Sequence, residues 1–169
     1  MILRLILIIL FFSPFASAQT QISIDYLNNA LKQNYLFIER SLNKSALNIE
    51  ESSGKFFFNK SQLIVEILSP YKERYLINET FIEIHDLDLD QTRIIDLNEL
   101  NNSFINVLIH GIKENSPHYS VTNIEAETIE LSFYDQSNPI KFFFKSGHLK
   151  LIRYTDSLEV EHGIELSLL

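Results

Sequence analysis

Cysteine and tryptophan are absent from the 169 residues, and glycine and proline supply only four each. Without cysteine there is no disulfide framework, no thiolate nucleophile and no thiolate metal site. Four glycines leave little material for phosphate-cradling loops, and no P-loop, dinucleotide fingerprint or Gly-x-Ser-x-Gly elbow occurs. Positive charge is scarce too: 14 Lys and Arg face 22 Asp and Glu, for a net charge of −8. That balance lacks the basic footprint of a nucleic-acid binder, so no nucleic-acid partner is expected. It also provides no attraction to anionic lipid head groups. No apolar run approaches the ~20 residues needed to span a bilayer as a helix.

What is present begins with an export signal. Arg4 supplies a positive n-region, Leu5 to Phe12 is an unbroken apolar run, and Pro14 interrupts it. Ala16-Ser17-Ala18 then forms a small-residue cleavage site before Gln19. The expectation is a signal peptide over 1–18 and one domain over 19–169. An uncleaved membrane anchor is the competing reading, which the well-formed cleavage site disfavours. Bacterial lipoproteins are acylated on an N-terminal cysteine. This chain has none, so it is expected to diffuse freely after export.

Ser23 is placed to cap a helix in which Ile24, Leu27 and Leu31, with Ala30 nearby, recur at helical spacing up to about Gln33. Tyr35 to Ile38 fits either the end of that helix or a first strand. Asn43 to Ser53 is polar, with a turn expected near Ser53-Gly54. Strand signals follow at Lys55–Asn59, Leu63–Leu68, Arg74–Ile77, Phe81–Asp86 and Thr92–Leu97, with Asn78-Glu79 as a turn. From Leu97 to Gly111 the period changes: Leu100, Phe104, Val107 and Leu108 fit a second helix, which Gly111 stops. Strands return at His118–Ile124, Thr128–Tyr134, Ile140–Lys145, Leu149–Thr155 and Leu158–Leu168, separated by turns at Asn138-Pro139 and Ser146-Gly147. Closely spaced strands with short turns predict an antiparallel meander.

The strands alternate. Ile82 and Ile84 oppose Glu83 and His85. Ile129, Leu131 and Phe133 oppose Glu130 and Ser132. Phe142 and Phe144 oppose Lys141, Phe143 and Lys145. Leu158, Val160, Ile164 and Leu166 oppose Glu159, Glu161 and Glu165. One face is apolar and one is wet, as in an antiparallel sheet covered on one side. Two helices are available as the cover. Alternation tells which face is buried; whether it meets protein or ligand stays open.

Several patterns fall short of a site. Asp86, Asp88 and Asp90 mimic the start of an EF-hand loop, but its sixth position is Gln91 and its twelfth is Leu97. The five histidines (His85, His110, His118, His148 and His162) show no zinc-ligand spacing, and surface positions are their default. Nothing in the sequence positions any pair of its many carboxylates for catalysis. No metal, no cofactor and no enzymatic activity are expected.

The stretch from Ser53 to Gln91 resembles the central signature of the outer-membrane lipoprotein carrier family, LolA. Gly54, Phe56-Phe57-Phe58, Lys60-Ser61, Leu63 to Ile67 and Pro70 follow the family's order of glycine, aromatic strand, Arg-Pro step, Phe-x-Trp strand and proline. From Pro70 the match runs without a gap through Tyr71 and Asn78-Glu79 to the acidic loop His85-Asp86-Leu87-Asp88-Leu89-Asp90-Gln91. Asn102-Ser103-Phe104 resembles the start of the family's central helix, and the final hairpins resemble its last strands. The departures are specific. Lys60 stands for the arginine, keeping charge without the planar fork. Ser61 stands for the proline, Leu63 and Val65 for the Phe-x-Trp aromatics, and Glu79 for a turn glycine. The family's C-terminal segment has no counterpart before Leu169.

The resemblance implies an α+β fold: an antiparallel, incomplete (half-open) β-barrel with a helical lid over its concave apolar face. It implies a monomeric periplasmic chaperone. Acylated lipoprotein cargo would come from an inner-membrane ABC-type lipoprotein-releasing complex and pass to an outer-membrane acceptor lipoprotein. The implied lipid-binding residues are Phe56, Phe58, Leu63, Val65, Ile67, Ile82, Ile84, Ile129, Leu131, Phe133, Phe142 and Phe144, with Leu27, Leu31, Phe104 and Leu108 as the lid. Lys60 would close that lid by donating to a backbone carbonyl. Two alternatives keep the fold: carriage of another acyl lipid or glycolipid, and a periplasmic lipoprotein-sensing regulatory module.

Overall fold

The computed structural model describes residues 21–59, 62–99, 103–135 and 137–169. Residues 1–18, where a signal peptide is expected, and Lys60, Ser61, Leu100 and Asn102 lie outside them. Helix α1 (Ile24–Leu31) opens the chain, followed by β1 (Tyr35–Asn43), β2 (Asn48–Asn59), β3 (Gln62–Ser69), β4 (Glu73–Ile77), β5 (Phe81–Asp86) and β6 (Gln91–Asp96). A short 3-10 turn at Leu97–Glu99 leads towards α2 (Ser103–His110). The chain ends with β7 (Tyr119–Glu125), β8 (Thr128–Phe133), β9 (Ile140–Lys145), β10 (His148–Thr155) and β11 (Val160–Leu168).

All eleven strands form one antiparallel sheet in the order β6-β5-β4-β3-β2-β1-β11-β10-β9-β8-β7. The first and last strands therefore meet at its centre, with Tyr35 opposite Leu168 and Asn43 opposite Val160. Strands β6 and β7 are its free edges, so the sheet is not closed. Laid flat, eleven strands at ~4.8 Å spacing would be roughly 48 Å wide. Two eight-residue helices, each about 12 Å long, could not cover that width. Yet one continuous cluster of buried side chains takes Phe37, Phe56, Leu63, Ile77 and Ile84 from one wing and Ile129, Phe142 and Ile152 from the other. The sheet curls around its own apolar face, and α1 and α2 sit inside the curve.

Local chemistry accounts for the helix ends. Ser23 Oγ accepts from the Tyr26 N–H at 3.1 Å, the expected cap. Leu27, Ala30 and Leu31 are the buried stripe of α1. The buried Tyr35 hydroxyl donates to the Ala30 carbonyl at 2.9 Å, and burial pushes its pKa up to about 12. At the other helix, Gly111 adopts φ +72 and donates to the Val107 carbonyl at 2.9 Å, ending α2 as its position predicts. Asn28 ties the two helical regions together. Its side chain accepts from Ile112 N–H and donates to Ile112 C=O, both at 2.8 Å.

Two expectations are corrected. No turn falls at Ser53-Gly54: β2 runs through it, and the β1–β2 turn lies at 44–47. Gly54 answers a different need. The β2–β3 register shifts between Ser53 and Gly54, and a Cβ at Gly54 would lie 2.0 Å from the Glu66 carbonyl oxygen. Glycine allows the close backbone approach of a bulge. Leu158 does not join the apolar face of the last strand. It precedes β11 in a turn and is 79% exposed, because Asp156 accepts from the N–H groups of Leu158 and Val160 and holds the turn outside the sheet. Tyr35 to Ile38, left open between helix and strand, is the start of β1.

Candidate functional site

A cavity of about 250 Å³ lies between the central strands and α2. The sheet contributes Phe37 and Glu39 (β1), Phe56 (β2), Leu63, Val65 and Ile67 (β3), Tyr75 and Ile77 (β4), Ile152 and Tyr154 (β10) and Ile164 (β11). Helix α2 contributes Phe104, Ile105 and Leu108. Strand registry explains the convergence. Tyr35 is opposite Phe56, Phe56 is opposite Val65, and Val65 is opposite Tyr75, so one parity on each strand points inward. Larger depressions of about 580, 600 and 630 Å³ exist, but charged and polar side chains such as Arg40, Glu125, Lys141, Asp135 and His118 help to wall them. Of these four, formed by the described residues, the 250 Å³ cavity is the one walled mainly by aliphatic and aromatic groups. Its volume sits just below the ~300–1,000 Å³ usual for small-molecule sites.

Of the residues expected to bind lipid, the structure brings Phe56, Leu63, Val65, Ile67, Phe104 and Leu108 to this cavity. Ile82 and Ile84 are buried in the core on β5, beyond its wall. Ile129, Leu131, Phe142 and Phe144 are buried in the other wing, where α1 packs on β10 and the Tyr26 and Phe144 rings are 5.8 Å apart. Phe58 and Phe133 pack on the core half-buried. Leu27 and Leu31 are core positions on the buried face of α1. Lys60 is outside the described residues. Pattern reading missed Phe37, Ile77, Ile105, Ile152 and Ile164, all of them apolar and all but Ile105 on strands.

It also missed the polar end of the cavity. Along the central strands the inward face changes from apolar to polar: Phe37 gives way to Glu39 on β1, Ile164 to His162 on β11 and Phe56, past Gly54, to Ser52 on β2, with Ser52 directly opposite Glu39 and His162 one inward position beyond the residue opposite it. His162 is not a surface residue. Its Nδ1 is 2.8 Å from Glu39 Oε1 and its Nε2 is 3.4 Å from Asp156 Oδ2. Ser52 Oγ donates to Glu39 Oε2 at 3.2 Å. Burial alone would lower the His162 pKa, but the two carboxylates outweigh it and hold the imidazole above its usual range. Its ring stacks on Tyr154 at 4.6 Å, and Tyr154 stacks on Phe104 at 4.5 Å. A column of three rings therefore runs from the sheet to the lid helix. Burial, then the charges of Glu39 and Asp156, push the Tyr154 phenol well above its usual range, so it is a neutral hydroxyl.

The acidic turn after β5 is internally satisfied. Asp86 Oδ1 accepts from the N–H groups of Asp88 and Leu89, Asp88 accepts from Lys72 N–H, and Asp90 is 3.1 Å from His85. No group of three or more potential metal ligands gathers among the described residues. Nor is any described helix long and apolar enough to cross a membrane.

No protein-family model matches the chain, and no curated protein matches it either. Among solved structures the chain is similar to the LolA superfamily protein NE2245 of Nitrosomonas europaea, at 12% identity and a TM-score of 0.48, over 85% of this chain and 90% of that one. It is also similar to LprF of Mycobacterium bovis, at 10% identity and a TM-score of 0.37, over 85% and 89%.

Proposed function

We propose that this protein is a periplasmic carrier that shields acyl chains in the cavity between its curled sheet and α2. The observation behind this reading is the cavity itself: a space walled by Phe37, Phe56, Val65, Ile67, Leu108 and Ile152 and covered by one short helix. Each buried methylene is worth about 0.8 kcal/mol, so a long acyl chain cannot cross water unshielded at appreciable concentration. Aliphatic and phenylalanine walls offer non-directional contact that suits both uptake and release.

Lipoproteins are the cargo we favour, because the Ser53–Gln91 stretch resembles that carrier family. In this reading the cargo arrives from an inner-membrane ABC-type releasing complex and leaves to an outer-membrane acceptor lipoprotein. Membranes loaded with labelled lipoprotein, given ATP and the releasing complex, should shed label into solution when the protein is added. No release would refute the lipoprotein assignment.

The cavity size supports a second reading. About 250 Å³ is small for three chains at once, which favours a single-chain amphiphile in this closed arrangement. Native mass spectrometry of protein purified from its own periplasm separates the two: a co-purifying lipid of one chain supports the second, and an acylated polypeptide the first.

A further inference from the structure

The cavity's wall is apolar, but its polar end is predominantly acidic. Glu39 lines it directly, with its two oxygens turned to His162 and Ser52. Asp156 stands behind the imidazole, so one histidine is shared between two carboxylates. Other charged groups on the inward face are Glu73 on β4, which accepts from the Tyr75 hydroxyl, Glu50 on β2 and Arg93 on the β6 edge. With His162 charged, the Glu39–His162–Asp156 group still carries one net negative charge. An anionic head brought to this end would meet like charge in a partly desolvated site, where repulsion is screened little by salt. An uncharged head would meet a donor. Tyr154 lines the cavity, is held neutral, and its hydroxyl has no hydrogen-bond partner among the described residues.

We propose that Glu39 and Tyr154 form a head-group filter: the cavity takes an acyl chain joined to an uncharged ester, amide or hydroxyl group and turns away chains ending in a carboxylate or phosphate. Tyr154 donates to the ester or amide carbonyl, and Glu39 excludes the anions. Discrimination comes from a repulsive element as well as an attractive one. The filter rests on the acyl-carrier reading and deepens it.

Isothermal titration calorimetry at pH 8 tests it, using 1-monomyristoylglycerol and myristate, each below its micellar concentration. The glycerol ester should bind the full exported chain about tenfold more tightly than myristate, or better, a ratio equivalent to about 1.4 kcal/mol or more. Glu39→Gln should bring the two within about threefold by admitting myristate. Tyr154→Phe should weaken the ester several-fold and leave myristate unchanged. Equal or tighter binding of myristate to the unsubstituted protein overturns the filter and leaves the acyl cavity standing. A ratio unchanged in a folded Glu39→Gln protein overturns the assignment to Glu39. If that variant does not fold, Asp156→Asn and the ratio in the unsubstituted protein decide. Binding of neither probe overturns the acyl cavity and the filter together.

Discussion

His162 couples two carboxylates to the ring column under the lid, and its protonation has a defined sign. Its folded pKa lies above the ordinary 6.5. The stability this interaction provides is therefore complete below about pH 6.5 and is lost as pH rises through the raised folded value. Thermal melts between pH 6 and pH 9 should show Tm falling through that window, and His162→Gln should flatten the fall. Asp156 works in the opposite sense. Burial opposes its ionisation, but the Val160 and Leu158 N–H groups and His162 outweigh burial and lower its pKa. That contribution is present above about pH 4 and lost on acidification. A second residue-scale test concerns Gly54, where any side chain meets the Glu66 carbonyl at 2.0 Å. Gly54→Ala should cost more than about 2 kcal/mol in urea denaturation, since the obstacle is backbone and cannot swing aside.

The two helices look alike in length and amphipathicity but cover different things. Leu27 of α1 is fully buried over a filled wing of the sheet, whereas Phe104 of α2 is core on one side and cavity wall on the other. Leu27→Ala and Phe104→Ala should each lose about 3 kcal/mol of stability. Only the second should speed the loss of a bound fluorescent acyl probe, because only α2 closes over the cavity. Equal probe loss in both variants would place the lid elsewhere. Asn28 joins the two regions through paired hydrogen bonds to Ile112. Asn28→Ala should cost about 1–3 kcal/mol by leaving partly buried backbone groups unpaired.

Among the described residues the buried apolar side chains, Ile64 apart, form one cluster spanning both wings of the sheet. Strands β1 and β11 close that arrangement at its centre, so neither half carries a core of its own. Unfolding should therefore be a single transition, with far-UV and near-UV circular dichroism coinciding on heating. Saturating 1-monomyristoylglycerol should raise Tm as any ligand selective for the folded state does. Two separated transitions would mean that the wings fold independently.

Much of this architecture was legible in the residues. Ser23 and Gly111 bound the helices because capping is a local matter of side-chain reach and backbone freedom. The apolar parity of Ile82-Ile84, Ile129-Leu131 and Phe142-Phe144 is buried as alternation requires, since a strand has only two faces. The error at Gly54 shows where local reading ends: the glycine signalled a special backbone position, but its cause is the carbonyl of Glu66 on a neighbouring strand. The same limit governs the site. Alternation is a property of a few consecutive residues, so it cannot distinguish Phe144, packed against Tyr26 of α1, from Phe56, which faces a void. That distinction depends on where two short helices come to rest inside a curled sheet. The polar end depends still more on tertiary structure. Glu39 and His162 stand 123 residues apart in the chain, and only the pairing of the first strand with the last sets one carboxylate 2.8 Å from one imidazole.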